Sequence, residues 1–84
     1  MLKGKMYSEV VLSDMTYGQA VDAAVHQGAK VTRAVWGGYW ELVPHHSING
    51  DTEILMAILK DNGGIAPATP YDEDIKAKDW MIVV

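Results

Sequence analysis

The sequence predicts an α+β domain in which a small antiparallel sheet of about four to five strands carries one main helix. Helical spacing of apolar residues is confined to one segment, between a capping threonine and a glycine. The rest of the chain consists of short β-rich segments separated by glycine- and proline-containing turns. A chain of 84 residues forms one domain. We treat residues 1–14 as an N-terminal strand or arm of that domain and 15–84 as its main region.

The main helix is predicted over about residues 16–27. Thr16 and Gln19 have the spacing of a capping box, in which each side chain bonds the other residue's main-chain amide; Asp14 is an alternative cap. Apolar residues then recur on one face, namely Tyr17, Ala20, Val21, Ala24 and Val25. Gly28 stands where a left-handed residue ends many helices. The segment therefore has a defined start and a defined end.

Strands are predicted on both sides of a glycine pair. Lys30–Trp36 is rich in β-branched residues, Gly37-Gly38 favours a turn, and Tyr39–Val43 resumes the β pattern. Pro44 is expected to end regular pairing, because proline has no amide hydrogen to donate. Ahead of the helix, Tyr7–Leu12 is predicted as a strand or an ordered arm.

The second half of the chain alternates turns with short apolar segments. Asn49-Gly50 is a predicted tight turn. Glu53–Leu59 is compatible with a helix by composition, but its length and the turn residues 61–64 behind it favour a buried strand. Ile65–Pro70 contains two prolines and is predicted as an edge strand or an extended loop.

The C-terminal part is acidic and then apolar. Tyr71–Lys78 is predicted to form one short helical turn, with Asp72 as its cap. Trp80–Val84 is apolar enough to be a closing strand at the centre of the sheet or at a subunit interface.

Composition excludes several classes of protein. The formal net charge is −4, so duplex nucleic acid is not an expected partner. The absence of cysteine excludes disulfides, thiolate metal sites and cysteine catalysis. The longest apolar run, Ile54–Leu59, is far shorter than the ~20 residues of a membrane span, and no secretion signal is evident. We expect a cytosolic protein without membrane association, whose small core favours self-association.

The segment Trp36-Gly37-Gly38-Tyr39-Trp40 is the first candidate for a binding site. Its flat rings can stack on a base, its glycines allow close approach of the main chain, and Arg33 can pair with phosphate. A second candidate is the helix start at Thr16, Tyr17 and Gly18, where free amides attract anions. Core packing of the tryptophans, simple helix capping and a surface role for Arg33 are the structural alternatives.

Catalytic and metal sites are not predicted. His45 and His46 are adjacent, so on an extended segment they point to opposite sides and cannot easily share an ion. The carboxylates of 72–79 form one charged run, for which solvated surface is the simpler interpretation. No serine has the context of a hydrolase nucleophile. The sequence therefore predicts binding without turnover, and no cofactor.

Several segments, taken in order, resemble the second type of Thoeris anti-defence protein, a family of small bacteriophage proteins. Residues 15–20, Met-Thr-Tyr-Gly-Gln-Ala, are similar to that family's Met-Thr-Phe-Gly-Glu-Ala. Residues 30–38 resemble its Lys-Val-Arg-Arg-x-Gly-Trp-Asn-Gly stretch, and 41–44 fit next. Pro70, Asp74, Ala77, Asp79-Trp80 and Val83-Val84 match its C-terminal pattern. The resemblance covers about residues 15–84.

The resemblance implies a function, a partner and a location. Family members act in the cytoplasm of the infected bacterium, where they bind a cyclic ADP-ribose immune signal tightly without degrading it; some also hold cyclic dinucleotides. They form homo-oligomers, commonly tetramers, with pockets between protomers. By this resemblance the chain is expected to be a sponge that inhibits Thoeris immunity. A small hydrolase or lyase using His45 or His46, and an adaptor that binds a host protein, are the alternatives.

The resemblance also implies roles for particular residues. The adenine is expected to stack on Trp36, with Tyr17 or Tyr39 as the next choices. The pyrophosphate is expected to meet Arg33 and main-chain amides near Thr16–Gly18 or Gly37-Gly38. Asp74 is expected to accept a ribose hydroxyl, and Asn62 is a weaker candidate. Tyr71 is expected to supply aromatic surface where the family often has tryptophan at the position of Ala68.

Overall fold

The computed structural model describes residues 7–47, 50–58 and 64–84. Along the chain the elements are β1 (Val10–Met15), α1 (Tyr17–Gln27), β2 (Lys30–Arg33), β3 (Tyr39–Ser47), β4 (Gly50–Ile58), β5 (Ile65–Pro67), α2 (Asp72–Lys76) and β6 (Trp80–Val83). The strands form one six-stranded sheet in the order β1-β6-β2-β3-β4-β5, and every neighbouring pair is antiparallel. The α+β class is therefore confirmed.

The number of strands differs from the prediction of about four to five. The additional strands come from the two ends of the sheet, where β1 joins β6 and β5 joins β4. Both are edge strands whose partners are remote or separated by a turn, so the local pattern alone does not show that they pair. The described part of the segment 53–59, residues 53–58, is a strand, as favoured, and 80–83 occupies an interior position between β1 and β2.

Helix α1 confirms the predicted boundaries and caps. Thr16 is the N-cap, its hydroxyl accepts from the Gln19 amide at 3.2 Å, and the Gln19 side chain accepts from the Thr16 amide at 2.9 Å. Gly28 ends the helix with φ of 66°, a left-handed conformation that suits glycine. The cap therefore satisfies amides that a helix start leaves unpaired.

The buried face of α1 is rotated from the predicted stripe. Ala20, Ala23 and Ala24 are buried, whereas Val25 is 44% exposed. Position 25 lies about 200° around the helix from 23, so the burial of one exposes the other. Three alanines allow the helix to approach the large rings of the sheet closely, and this decides which face is buried.

Strand β3 continues through Pro44, so the predicted stop there is wrong. The Leu55 carbonyl of β4 accepts from the Ala68 amide at 3.0 Å, on the side away from β3. The Leu42–Leu55 pair therefore does not exchange main-chain bonds, and by alternation neither does Pro44–Glu53. The proline nitrogen therefore points away from β4. On that side β2 pairs with β3 only near Trp40, so no ladder bond is lost at Pro44.

Smaller differences concern element ends. Strand β2 ends at Arg33, and the chain turns over 34–38 before β3. The predicted helical turn near 71–78 is α2, but its N-cap is Tyr71 and not Asp72. The Tyr71 amide donates to the Asp74 carboxylate at 2.8 Å, which fixes the first turn. The predicted turn at Asn49-Gly50 falls on the gap at 48–49. Neither described helix has the length and hydrophobicity needed to span a bilayer.

Candidate functional site

Three tryptophan rings form the centre of the molecule. The ring centroids of Trp36, Trp40 and Trp80 are 5.1 to 5.5 Å apart, so each ring contacts the other two. Trp80 is fully buried, Trp40 is 4% exposed, and Trp36 is only half-buried. Trp40 and Trp80 are therefore core residues, and Trp36 presents the part of this cluster that a ligand can reach.

A groove of about 600 Å³ opens beside Trp36. Its first wall is the segment 36–40, which includes Gly37, Gly38 and Tyr39. Its second wall is formed where β4 pairs with β5, at Ala57, Ile58, Ala66 and Pro67. The third is the segment from Thr69 into α2, with Tyr71, Glu73 and Asp74. The volume lies in the range of small-molecule pockets.

The glycine segment is held from the side of the sheet. The Thr32 hydroxyl, fully buried, donates to the Gly38 carbonyl at 2.7 Å, and the Trp36 amide donates to the Arg33 carbonyl at 3.0 Å. The Tyr7 hydroxyl lies 3.5 Å from the Trp36 carbonyl. These bonds define where Trp36 enters the groove, because they fix the main chain on both sides of it.

Arg33 is bound to two carboxylates of the chain. Its Nε and Nη1 donate to Asp79 Oδ1 and Asp74 Oδ1, each at 2.9 Å, and Nη2 lies 3.4 Å from Asp79 Oδ2. The side chain is 15% exposed. The hydrogen bonds with Asp79 and then Asp74 raise the pKa of Arg33 above its ordinary value. Arg33 does not line the groove itself but supports Asp74, which does.

Asp74 is the most heavily bonded polar residue of the site. Its side chain is 4% exposed, and its Oδ1 and Oδ2 accept from Arg33 and from the Tyr71 amide. Its main-chain carbonyl accepts from Trp80 Nε1 at 2.9 Å. These contacts fasten α2 to the core, so Asp74 positions the third wall of the groove.

The structure brings together half of the predicted site. Trp36, Gly37, Tyr39, Tyr71 and Asp74 line the groove. Two predicted residues at the start of α1 do not line the groove. Thr16 caps the helix, and Gly18 is exposed.

Tyr17 packs against the tryptophan cluster instead of entering the groove. Its ring centroid lies 6.4 Å from that of Trp40 and 5.6 Å from that of Trp80, in edge-to-face arrangements. Asn62 and the side chains of His45 and His46 lie outside what the structure describes.

The sequence did not indicate the second wall of the groove or the bond between Arg33 and Asp79. Ala57, Ile58, Ala66 and Pro67 have no side-chain chemistry that distinguishes them, and they meet only because β4 and β5 pair. Glu73 and Asp79 belonged to a charged run interpreted as surface. The Asp79 carboxylate is 35% exposed, and nothing in the local sequence indicates its bond to a residue 46 positions away.

The charged residues that line the groove are acidic. Glu73 and Asp74 line it, and none of the described lining residues is basic. Lys30 lies nearby, with its Nζ 5.0 Å from the centroid of the Tyr39 ring. Within the described ranges, no group of three or more histidine, aspartate or glutamate side chains could hold a metal ion. The groove as described is aromatic with hydrogen-bond acceptors.

The structure is a small α+β domain with a groove beside Trp36. The model of the Tad2-like family, described as the Thoeris anti-defense 2-like domain, matches residues 15–83. The chain therefore belongs to this family, as the resemblance predicted, and carries a Thoeris anti-defense domain. A search of the curated proteins found no match.

Proposed function

We propose that this protein is a sponge for the cyclic ADP-ribose signal of Thoeris immunity, acting in the cytoplasm of the infected bacterium. In this role it binds the signal and leaves its covalent bonds intact. The observation that carries the proposal is the groove of about 600 Å³ beside Trp36, in a chain whose family is defined by anti-defense activity. A cyclised dinucleotide-sized ligand suits a groove of this volume.

Aromatic surface supports a stacking role for the groove. Trp36 is half-buried and fixed by its contacts with Trp40 and Trp80, so little side-chain freedom is lost when a base stacks on it. Tyr39 and Tyr71 line the same space, and Tyr71 is 71% exposed. Stacking on an aromatic ring contributes about 1–3 kcal/mol per base.

Acceptors in the third wall support contacts to ribose. Each ionised carboxylate has about four lone-pair positions, and the bonds from Arg33 and the Tyr71 amide occupy two of those of Asp74. Asp74 therefore retains acceptor capacity, and Glu73 lies beside it in the groove. A diol that donates to these oxygens would be held in a fixed orientation.

The phosphates of the ligand need positive charge that the described groove of one protomer lacks. Arg33 neutralises Asp74 from behind the wall, which lowers the repulsion between Asp74 and an anion. The amides of Gly37-Gly38 can approach the phosphates closely. We propose that basic groups of a second protomer complete the pocket in a homo-oligomer, with a tetramer as the expected form. Cyclic dinucleotides are a second proposed ligand class.

The polar groups of the groove support binding without cleavage. The hydroxyl of Thr69 donates to the Pro67 carbonyl at 3.3 Å and has no base paired with it in the described groove. Asp74 is bound by two donors. A nucleophile needs a base within hydrogen-bond reach to be activated. The described groove has a recognition surface without that arrangement, and we propose that the protein is not an enzyme.

The proposal is tested by calorimetric titration with a panel of cyclic ADP-ribose isomers and cyclic dinucleotides. We expect at least one cyclic ADP-ribose isomer to bind with roughly nanomolar affinity, about −12 kcal/mol. Trp36→Ala should weaken that affinity by at least about tenfold. Val35→Ala is the matched control, because Val35 is adjacent, 72% exposed and outside the groove. If no cyclic ADP-ribose isomer binds folded protein, the proposal is wrong.

A further inference from the structure

We propose that two copies of this chain join through β1, by antiparallel pairing of their edge strands across a two-fold axis at Val10. The proposal rests on the homo-oligomer of the proposed function and names the place where protomers meet. Its test needs no ligand, so the assembly and the sponge activity can fail separately. The partner is a second copy of this chain.

The main-chain amide and carbonyl of Val10 in β1 make no bond to β6. The Glu9 amide donates to the Val84 carbonyl at 3.1 Å, and the Val84 amide donates to the Glu9 carbonyl at 2.9 Å. Because Glu9 and Val84 exchange both bonds, the next pair, Val10 with Val83, exchanges none. The amide and carbonyl of Val10 therefore point away from β6, toward the side of β1 on which no other described strand lies. Such an edge is a template for another strand.

Apolar side chains surround these main-chain groups. Val10, Val11 and Leu12 are 44%, 57% and 52% exposed, and Val84, directly after β6, is 56% exposed. Residues 10–13 carry neither a charge nor a proline. Four exposed aliphatic side chains at one edge favour burial against a partner, at about 25 cal/mol per Å² of apolar surface covered.

The opposite edge of the sheet differs in just these respects. Strand β5 has three residues and ends in Pro67, so it offers a short edge with a missing donor. Short strands and prolines are common devices that prevent edge pairing. Strand β1 has six residues and no proline. The β5 edge therefore has two features that hinder strand pairing, and β1 has neither of them.

Irregularities in β1 limit the length of the pairing. The register with β6 shifts between Val10 and Leu12 and again between Leu12 and Met15, where Asp14 has a φ of 59°. Bulges of this kind twist an edge and interrupt its ladder. The first shift already lies between Val10 and Leu12, so we place the pairing over residues 9–11, centred on Val10.

This segment is self-complementary in the antiparallel direction. An axis at Val10 places Val10 opposite its copy and Glu9 opposite Val11. No like charges face each other, and the outward amide and carbonyl of the two Val10 residues exchange two hydrogen bonds. The same patch is used on both subunits, as a two-fold interface requires. A second copy therefore satisfies both the main-chain and the apolar character of the edge.

The test is the mass of the ligand-free protein by sedimentation velocity over a concentration series. Val10→Pro removes the outward amide hydrogen without removing a bond to β6, and Val11→Glu places a negative charge opposite Glu9 of the second copy. We expect both variants to weaken association by at least about tenfold, the effect of 1.4 kcal/mol, while circular dichroism keeps its wild-type form. Val25→Glu is the matched control, since Val25 is 44% exposed on α1, and it should keep the wild-type mass.

The β1–β1 interface is wrong if the wild type is monomeric throughout, or if Val11→Glu folds and keeps the wild-type mass. Val11→Glu decides the outcome should proline disturb the strand. Thermal shift with cyclic ADP-ribose is recorded separately on the wild type. If the wild type associates but shows no thermal shift, the sponge proposal is wrong and the β1–β1 interface is unaffected. If the ligand gives a thermal shift but the β1 variants keep the wild-type mass, the sponge proposal stands and the interface is wrong.

Discussion

The guanidinium of Arg33 lies 2.9 Å from a carboxylate oxygen of Asp74, although the two residues are 41 positions apart in the chain. A second carboxylate, that of Asp79, accepts from Nε of the same guanidinium. The sheet, α2 and the start of β6 are thereby joined behind one wall of the groove. The residue predicted to meet a phosphate is thus engaged in holding Asp74, which lines the groove, in place.

Arg33→Ala should reduce the free energy of unfolding by about 3 kcal/mol, because it leaves the carboxylate of Asp74 buried without its partner. Arg33→Lys should recover only part of the loss, since one ammonium cannot bond both carboxylates in the guanidinium geometry. Urea unfolding measures both. Lys76→Ala, an exposed substitution on α2, should change stability by less than about 0.5 kcal/mol. A similarly small change for Arg33→Ala would show that its bonds to Asp74 and Asp79 do not stabilise the fold.

The stabilisation from Arg33 should persist into alkaline solution. Its pKa is raised in the folded protein by Asp79 and Asp74, so the stabilisation is present below the unfolded pKa and is lost only as pH rises through the folded one. The pKa of Arg33 lies above the pH range of ordinary experiments in both the unfolded and the folded protein. The difference in unfolding free energy between wild type and Arg33→Gln should therefore stay constant from about pH 7 to about pH 10. A steady decline over that interval would show that a different group supplies the charge.

Tyr71→Ala should separate binding from stability. Tyr71 is 71% exposed and lines the groove, so its removal should cost less than about 0.5 kcal/mol of stability while weakening ligand affinity by about tenfold. Ile75→Ala is the control on the same helix, since Ile75 is 49% exposed and does not line the groove. Equal affinities for the two variants would remove Tyr71 from the site.

Thr32→Val should loosen the glycine segment. The substitution removes the hydroxyl that donates to the Gly38 carbonyl at 2.7 Å, with little change in volume. We expect a loss of about 1–2 kcal/mol in unfolding free energy and faster hydrogen exchange of the amides at 36–38. Unchanged exchange there would mean that the loop is held by its other contacts alone.

Local chemistry in the sequence was sufficient to predict some elements accurately. The helix was predicted from Thr16, Gln19 and Gly28, because capping and the left-handed end depend on neighbouring residues. Pro44 misled the prediction, because the cost of proline depends on which way its nitrogen points and on whether a third strand is present. That information lies in the pairing of β3 with β4 and not in the segment itself.

The candidate site divides in the same way. Trp36, Gly37 and Tyr39 are close in sequence, and their grouping was predicted from the segment alone. Tyr71 and Asp74 entered only through the family resemblance, because they reach the groove through the position of α2. The bond from Arg33 to Asp79 depends on β2 lying beside β6, so no local pattern could indicate it.

Mass spectrometry of ligand recovered from the protein shows whether the protein binds the signal without cleaving it. Folded protein is incubated with the cyclic ADP-ribose isomer that it binds, separated from free ligand, and then denatured to release what it holds. If the protein is a sponge, the recovered ligand has unchanged mass and chromatographic behaviour, in amounts close to the number of sites. Recovery of a hydrolysed or linearised product would contradict it.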